Sequence, residues 1–236
     1  MQSVIEKDLQ DIANILRRDI LEMTTRAGSG HATSCLSCAE IISTLFFNEM
    51  SYDKRNPDNP DNDEFILSKG HAAPILYSAL YRSDCINHNL LTLRKLSSPL
   101  EGHPIPSSLL SWVKVATGSL GQGLSIGVGM ALAAKLNKKY YKTYVLLGDS
   151  ESTEGSIYEA LQLASHYNLN NLIAIIDVNR LGQTGETMLA YNTKSYASRL
   201  AEFGWEAIQV NGHNIQQLLS AFEKARKSQK PSIIIA

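Results

Sequence analysis

Apolar residues return at intervals of three and four between Val4 and Thr25, at Ile5, Leu9, Ile12, Ile15, Leu16, Ile20 and Met23. That spacing predicts one amphipathic helix. It breaks at Arg26-Ala27-Gly28-Ser29-Gly30-His31, where two glycines stop the helix. A second helix is expected over Cys35–Asn48, then loop over Asp53–Asp63, which is rich in Pro, Asn and Asp. Phe65-Ile66-Leu67 predicts a short strand that runs into Ser68-Lys69-Gly70-His71. Helices are expected over Ala73–Tyr81 and around Asn89–Lys95, and Gly102-His103-Pro104 opens an irregular segment reaching Gly123. Leu124–Asn137 is small and apolar, as suits a closely packed, buried helix.

The second half is more regular. Strands are predicted at Tyr144–Leu147, Leu172–Asp177, Trp205–Val210 and Ser232–Ile235, with helices at Gly155–Tyr167, Lys194–Phe203 and Ile215–Lys227. Strands alternating with helices of this length imply an α/β fold: an open, mostly parallel sheet with helices on both faces. No internal repeat, low-complexity tract or linker interrupts the chain, so residues 1–236 read as one domain.

Composition narrows the function classes. Of 236 residues 44% are hydrophobic and 19% charged, and the net charge is −1 with both signs interspersed. Bulk charge therefore provides no nucleic-acid or membrane surface, and the basic run Lys135–Lys142 reads as a solvated helix end. No stretch approaches the roughly twenty apolar residues of a membrane span. Met1–Gln10 is polar, without the apolar core of a signal peptide. The three cysteines, Cys35, Cys38 and Cys85, suit a reducing, cytoplasmic location better than a disulfide framework. Cys35-x-x-Cys38 has the spacing of half a zinc site, but a second ligand pair is missing, and both read as small packing residues.

In an open parallel sheet, ligands gather beyond the C-terminal strand ends. One predicted strand ends at Gly148-Asp149-Ser150 and the next at Asp177-Val178-Asn179, about thirty positions later, one crossover through a helix. Asp149 and Asn179 are then able to face one point. A carboxylate and an amide oxygen are hard ligands suited to Mg²⁺, with Ca²⁺ the alternative; Mg²⁺ completes its shell with phosphate oxygens and water. Gly148 permits a sharp turn, and the helix start at Glu154-Gly155 is able to aim free N–H groups at an anion. Taken alone, a Gly-Asp pair after a strand is a common turn.

A longer series of segments changes that weighing. Gly148-Asp149, Glu151, Glu154-Gly155, Glu159-Ala160, Asn171-Leu172-Ile173, Asp177 and Asn179 together resemble the thiamine diphosphate motif. Asp177-Val-Asn-Arg-Leu-Gly-Gln183 is similar to transketolases of the animal type. Ser29-Gly30-His31-Ala32-Thr33-Ser34-Cys35, Leu67-Ser68-Lys69-Gly70-His71-Ala72-Ala73-Pro74, Gly102-His103-Pro104 and Thr117-Gly118-Ser119-Leu120-Gly121-Gln122-Gly123 resemble transketolase segments in the same order.

The resemblance implies roles at the matching positions. Asp149, Asn179 and the Leu181 carbonyl would hold the metal. Ser34, Lys69, His71, Gly118, Leu120, Ser150 and Gln183 would line the diphosphate and thiazolium parts of thiamine diphosphate. His31 and His103, with His71 beside them, would serve catalysis by moving protons near the substrate hydroxyls, a task suited to neutral imidazole. His88 and His166 lack such context and read as structural; His213 in Asn211-Gly212-His213 is expected to shape a helix start.

Two departures from the family pattern stand out. Ser150 occupies a position where the family has Gly, which is tolerable if the backbone needs no positive φ. Ile233-Ile234-Ile235-Ala236 is where family members continue toward a pyrimidine-binding domain carrying the activating glutamate. The resemblance thus implies an N-terminal transketolase subunit, inactive alone. With a C-terminal partner chain, in a dimer or heterotetramer, it would transfer a two-carbon ketol unit from a ketose to an aldehyde. A chain cut from a longer transketolase is equally compatible. Other readings are a split enzyme of specialised metabolism with a non-sugar acceptor, and a thiamine diphosphate-binding module without turnover. A plain dinucleotide-binding domain is disfavoured, because Gly121-x-Gly123 lacks the third glycine and follows no clear strand.

Overall fold

Alternate residues of each strand feed two different cores. In β2 (Thr143–Gly148), Tyr144 and Leu146 join one apolar cluster while Val145 and Leu147 join another. In β3 (Leu172–Asp177), Ile173 and Ile175 go with the first, and Leu172, Ala174 and Ile176 with the second. Strands buried on both faces need this continuous apolar character, since successive side chains point to opposite sides. The computed structural model describes residues 2–236, with side chains from residue 4 onward.

All pairings are parallel, in the order β1-β2-β3-β5-β4, with β1 at Glu64–Leu67, β4 at Glu206–Gln209 and β5 at Ser232–Ile235. The α/β fold read from the sequence is the fold observed. Helices α1 (Gln2–Ala27), α2 (Ala32–Ser37), α3 (Ala39–Thr44), α4 (Ala73–Arg82) and α8 (Ile215–Lys227) cover one face. Helices α5 (Gln122–Leu136), α6 (Gly155–His166) and α7 (Thr193–Glu202) cover the other. No helix among the described residues is long and apolar enough to cross a membrane.

The expected helix over Cys35–Asn48 is broken. α2 ends at Ser37, Cys38 leaves helical geometry at φ −101° and ψ 18°, and α3 continues into a π-type turn at Leu45–Glu49. The reason is local competition: the Ser34 carbonyl accepts from Lys69 Nζ at 2.7 Å. Side-chain donors at a helical carbonyl bend or interrupt the ladder. The helix expected around Asn89–Lys95 is a single 3₁₀ turn, Leu90–Thr92. Asn89 Oδ1 accepts from the Leu91 N–H at 3.0 Å, and Arg94 at φ 58° ends any continuation.

Candidate functional site

Because the strands are parallel, β1, β2 and β3 deliver Ser68-Lys69, Asp149-Ser150 and Val178-Asn179 to the same edge of the sheet. Beneath that edge lies a buried ion pair. Lys69 Nζ stands 2.5 Å from Asp177 Oδ2, with side-chain exposures of 1% and 5%. Burial pulls the Lys69 ammonium toward neutrality, but the Asp177 carboxylate outweighs it and holds the pKa above the usual lysine value. The same Oδ2 accepts from the Ser37 hydroxyl at 2.5 Å, and Nζ also donates to the Ser34 carbonyl. Lys69 thus contacts Asp177 and the turn of α2, and its own side chain is buried.

A second buried carboxylate ties three segments together. Glu151 Oε1 accepts from the Ser68 hydroxyl at 2.5 Å and the Gly121 N–H at 2.9 Å, and Oε2 from the Gly148 N–H at 3.0 Å. Burial raises its pKa, and those three donors pull the other way. Ser156, in the first turn of α6, donates to the Gly121 carbonyl at 2.9 Å. The α6 start thus abuts the Gly118–Gly121 loop. α5 begins so close to β1 that a Cβ on Gly123 would lie 2.3 Å from Ser68 Oγ.

Asp149 is 2% exposed. Its Oδ1 accepts from the Ser150 N–H at 2.9 Å, and its Oδ2 from the Arg180 N–H at 2.7 Å and the Thr187 hydroxyl at 3.0 Å. Among the described residues it has no cationic partner. Burial pushes its pKa up, opposed by the Thr187, Ser150 and Arg180 donors. Asn179 Oδ1 accepts from the Leu181 N–H at 2.8 Å, and Nδ2 donates to Ser37 Oγ at 3.4 Å. Arg180 at φ 57° then opens a small hairpin in which Leu181 bridges Glu186.

The donor set fits a divalent cation that also carries a diphosphate. Asp149, Asn179 and the Leu181 carbonyl are hard oxygens, each with a lone pair to spare. A buried carboxylate lacking a cation is the local charge such an ion would neutralise. No three His, Cys, Asp or Glu side chains gather as a metal set among the described residues. The remaining ligands would thus come from phosphate and water. Cys35 and Cys38 are fully buried and unpaired, and burial pushes the Cys38 thiol up to about 11, so they pack as the sequence suggested.

Ser150 answers the question its side chain raised. Its φ is −58° and ψ −44°, ordinary helical values open to any L-residue. Its N–H is engaged by Asp149, and its Oγ lies 3.5 Å from where a Cβ on Gly182 would sit.

The three histidines converge. His31 precedes α2, and its ring centroid is 5.1 Å from that of His71, edge to face. His71 Nε2 is 2.8 Å from Ser34 Oγ. Burial, then the Lys69 ammonium, lowers the His71 pKa to about 4. His103 packs on Gly118, whose φ of +141° and 2.7 Å clearance to His103 Cδ2 leave no room for a side chain. Its pKa is lowered by burial and by His31 and Arg94. His71 is therefore neutral near pH 7 in this setting. Thr117, beside Gly118, keeps a buried hydroxyl without a partner among the described residues.

Not every expected residue is drawn in. Leu181 and Gln183 lie exposed on the hairpin, and no hydrogen bond from the Gln183 side chain is present among the described residues. Leu120 is half-buried in the loop closed by Glu151. His88 bonds the Leu109 carbonyl at 2.8 Å, and His166 lies exposed against Tyr167. His213 stands before the α8 cap, with Nδ1 2.9 Å from the buried Glu40 carboxylate. Sequence reasoning gave no role to Ser37, Asp177 or Glu151. For Asp177 and Glu151 the available signal was a carboxylate at or just after an apolar strand end; Ser37, in α2, had none.

Residues 7–236 match the family model described as transketolase, thiamine diphosphate binding domain. The chain belongs to that family. Transketolase-like protein 2 of Bos taurus is 52% identical over 231 residues, spanning 97% of this chain and 37% of the relative. Human transketolase is 50% identical over 230 residues, covering 36% of its own length. The chain thus spans little more than a third of these curated relatives. A subunit of the apulose-4-phosphate transketolase of Phocaeicola vulgatus is 39% identical over 222 residues, covering 93% of this chain and 78% of that protein. The Campylobacter jejuni transketolase structure superposes with a TM-score of 0.89 at 37% identity, over 97% of this chain and 37% of that one.

Proposed function

We propose that this chain is the diphosphate-anchoring component of a transketolase-type transferase. In this reading Asp149, Asn179 and the Leu181 carbonyl hold Mg²⁺, with Ca²⁺ an alternative, and the metal fixes the diphosphate of thiamine diphosphate. Ser34, His71, Gly118, Leu120, Ser150 and Gln183 line the cofactor, supported from below by Lys69. The observation that carries the reading is the buried Asp149 carboxylate beside Asn179, which has no cation among the described residues.

Bound thiamine diphosphate supplies a nucleophilic carbon that stabilises negative charge during carbon–carbon bond cleavage. The residues of this chain bind, orient and move protons around it. His31 and His103 exchange protons with hydroxyl and carbonyl oxygens of a ketose donor and aldehyde acceptor. His71, held by Ser34, stays neutral and positions the wall between them. A separate chain carrying the pyrimidine-type domain completes the site in a dimer or heterotetramer, in the cytosol, and this chain alone does not turn over. Support for a separate chain comes from the Phocaeicola vulgatus relative, which is itself one component of a transketolase made of subunits. The longer relatives favour a second arrangement, with the other domain on the same polypeptide. The mass of the native protein in its source cells separates the two.

The test is to combine the chain with a pyrimidine-domain partner, thiamine diphosphate and Mg²⁺ and to assay ketol transfer. Activity that is lost in Asp149→Ala supports the reading. Activity unchanged in Asp149→Ala overturns the metal role, and turnover by the chain alone overturns the division of labour.

A further inference from the structure

An amide side chain can ligate a cation through its oxygen only, yet its oxygen and nitrogen are nearly the same size. Packing alone does not choose between the two orientations; hydrogen bonding does. For Asn179 the choice traces back through three groups. Lys69 is fully buried, and its Nζ, which has only protons to give, donates to Asp177 Oδ2 at 2.5 Å. That oxygen is thus an acceptor, and the Ser37 hydroxyl, 2.5 Å from it, donates to it as well. Having given its one proton, Ser37 Oγ only accepts from its other neighbour, Asn179, whose Nδ2 lies 3.4 Å away. Nδ2 then points back to α2, and Oδ1 points to the hairpin, where the intervening residue, Arg180, bonds Asp149 through its N–H.

We infer that Ser37 is a positioning residue for the cation: it transmits the polarity of the Lys69–Asp177 pair to the Asn179 amide and keeps the amide oxygen facing the metal. The other bond to that amide, from the Leu181 N–H at 2.8 Å, lies within Asn179's own turn and travels with it. Ser37 is the tie from the Asn179 side chain to a separate element, α2, among the described residues. The inference rests on Asn179 being a metal ligand as proposed above.

The test compares wild type, Ser37→Ala and Ser37→Thr. Mn²⁺ affinity is read by electron paramagnetic resonance in the presence of thiamine diphosphate, with the Asn179 side-chain amide followed by NMR without ligands and the Tm by calorimetry. Loss of a group that orients a metal ligand typically lowers affinity about 10- to 100-fold. Ser37→Ala should weaken Mn²⁺ binding about tenfold, a loss of that size, and shift the Asn179 amide resonances. Ser37→Thr, which retains the hydroxyl, should restore both. Wild-type Mn²⁺ affinity in Ser37→Ala overturns the inference. If wild type itself binds no Mn²⁺ with thiamine diphosphate, the proposed metal site fails; the amide resonances then decide the relay, and their insensitivity to Ser37→Ala overturns it.

Discussion

Lys69→Met is the most informative single change. It removes an ammonium whose side chain is 1% exposed and leaves the Asp177 side chain, 5% exposed, with the Ser37 hydroxyl as its remaining strong donor. Breaking a buried pair from one side costs about 3–5 kcal/mol, because the surviving charge keeps its desolvation penalty. Against the roughly 5–15 kcal/mol total stability of a domain, that is a large fraction. At about 2–4 °C per kcal/mol for a chain of this size, the Tm should fall by about 6–20 °C. The double variant Lys69→Met/Asp177→Leu removes both charges among apolar neighbours and should recover most of the loss, to within about 1–2 kcal/mol of wild type. Urea unfolding followed by Trp112 and Trp205 fluorescence measures both. The pH dependence provides a check on sign. The Lys69 pKa is raised on folding, so its contribution is complete below the ordinary lysine value and lost only as pH climbs through the higher folded one. The gap between wild type and Lys69→Met should therefore be flat from about pH 7 to 9. A single variant costing under about 1 kcal/mol, or a double variant as unstable as the single, would refute the buried-pair argument.

Other expectations follow from the same geometry. Gly123→Ala would place Cβ 2.3 Å from Ser68 Oγ and 2.8 Å from its Cα, and should destabilise by about 1–3 kcal/mol. Gly129→Ala, in the same helix with nothing within 4 Å, should stabilise by up to about 1 kcal/mol, and equal midpoints in urea would contradict the pair. His71 has its pKa lowered on folding to about 4, so it resists protonation in the native state. Stability should drop as pH falls from about 6.5 toward that value, and His71→Gln should flatten this slope; an unchanged slope would exclude His71 as its source. Ser150→Gly, at a helical φ of −58°, should cost no more than about 1 kcal/mol and leave cation affinity within threefold. A tenfold gain in affinity would show that the serine side chain crowds the site.

Much of this architecture is legible in the chain because it depends on nearest-neighbour chemistry. The apolar runs of β2 and β3, the Gly-Asp and Asp-x-Asn endings and the glycines at 118, 121 and 123 carry their meaning in order and spacing. The break at Cys38 is different: the donor that competes for the Ser34 carbonyl comes from Lys69, 35 positions away. Nor does a lysine after an apolar strand announce its burial, since the carboxylate that makes burial tolerable lies 108 positions further on. Glu151 looks like any acid ahead of a helix until Ser68 and Gly121 converge on it. The isolated turn at Leu90–Thr92 is hidden because helical spacing over so few residues does not register a left-handed residue such as Arg94.

The Glu151 carboxylate has a consequence for how this fold can be inherited. Its donors lie 83, 30 and 3 positions away along the chain, and the Lys69–Asp177 pair spans a still longer loop. No fragment shorter than the stretch from residue 34 to residue 187 contains the site's own supports. A crossover between relatives inside that stretch mates halves of several hydrogen-bonded partnerships at once, whereas one beyond residue 187 transfers them intact. The pocket behaves as an indivisible heritable block, and recombination should respect its edges more strictly than those of the helices that flank it.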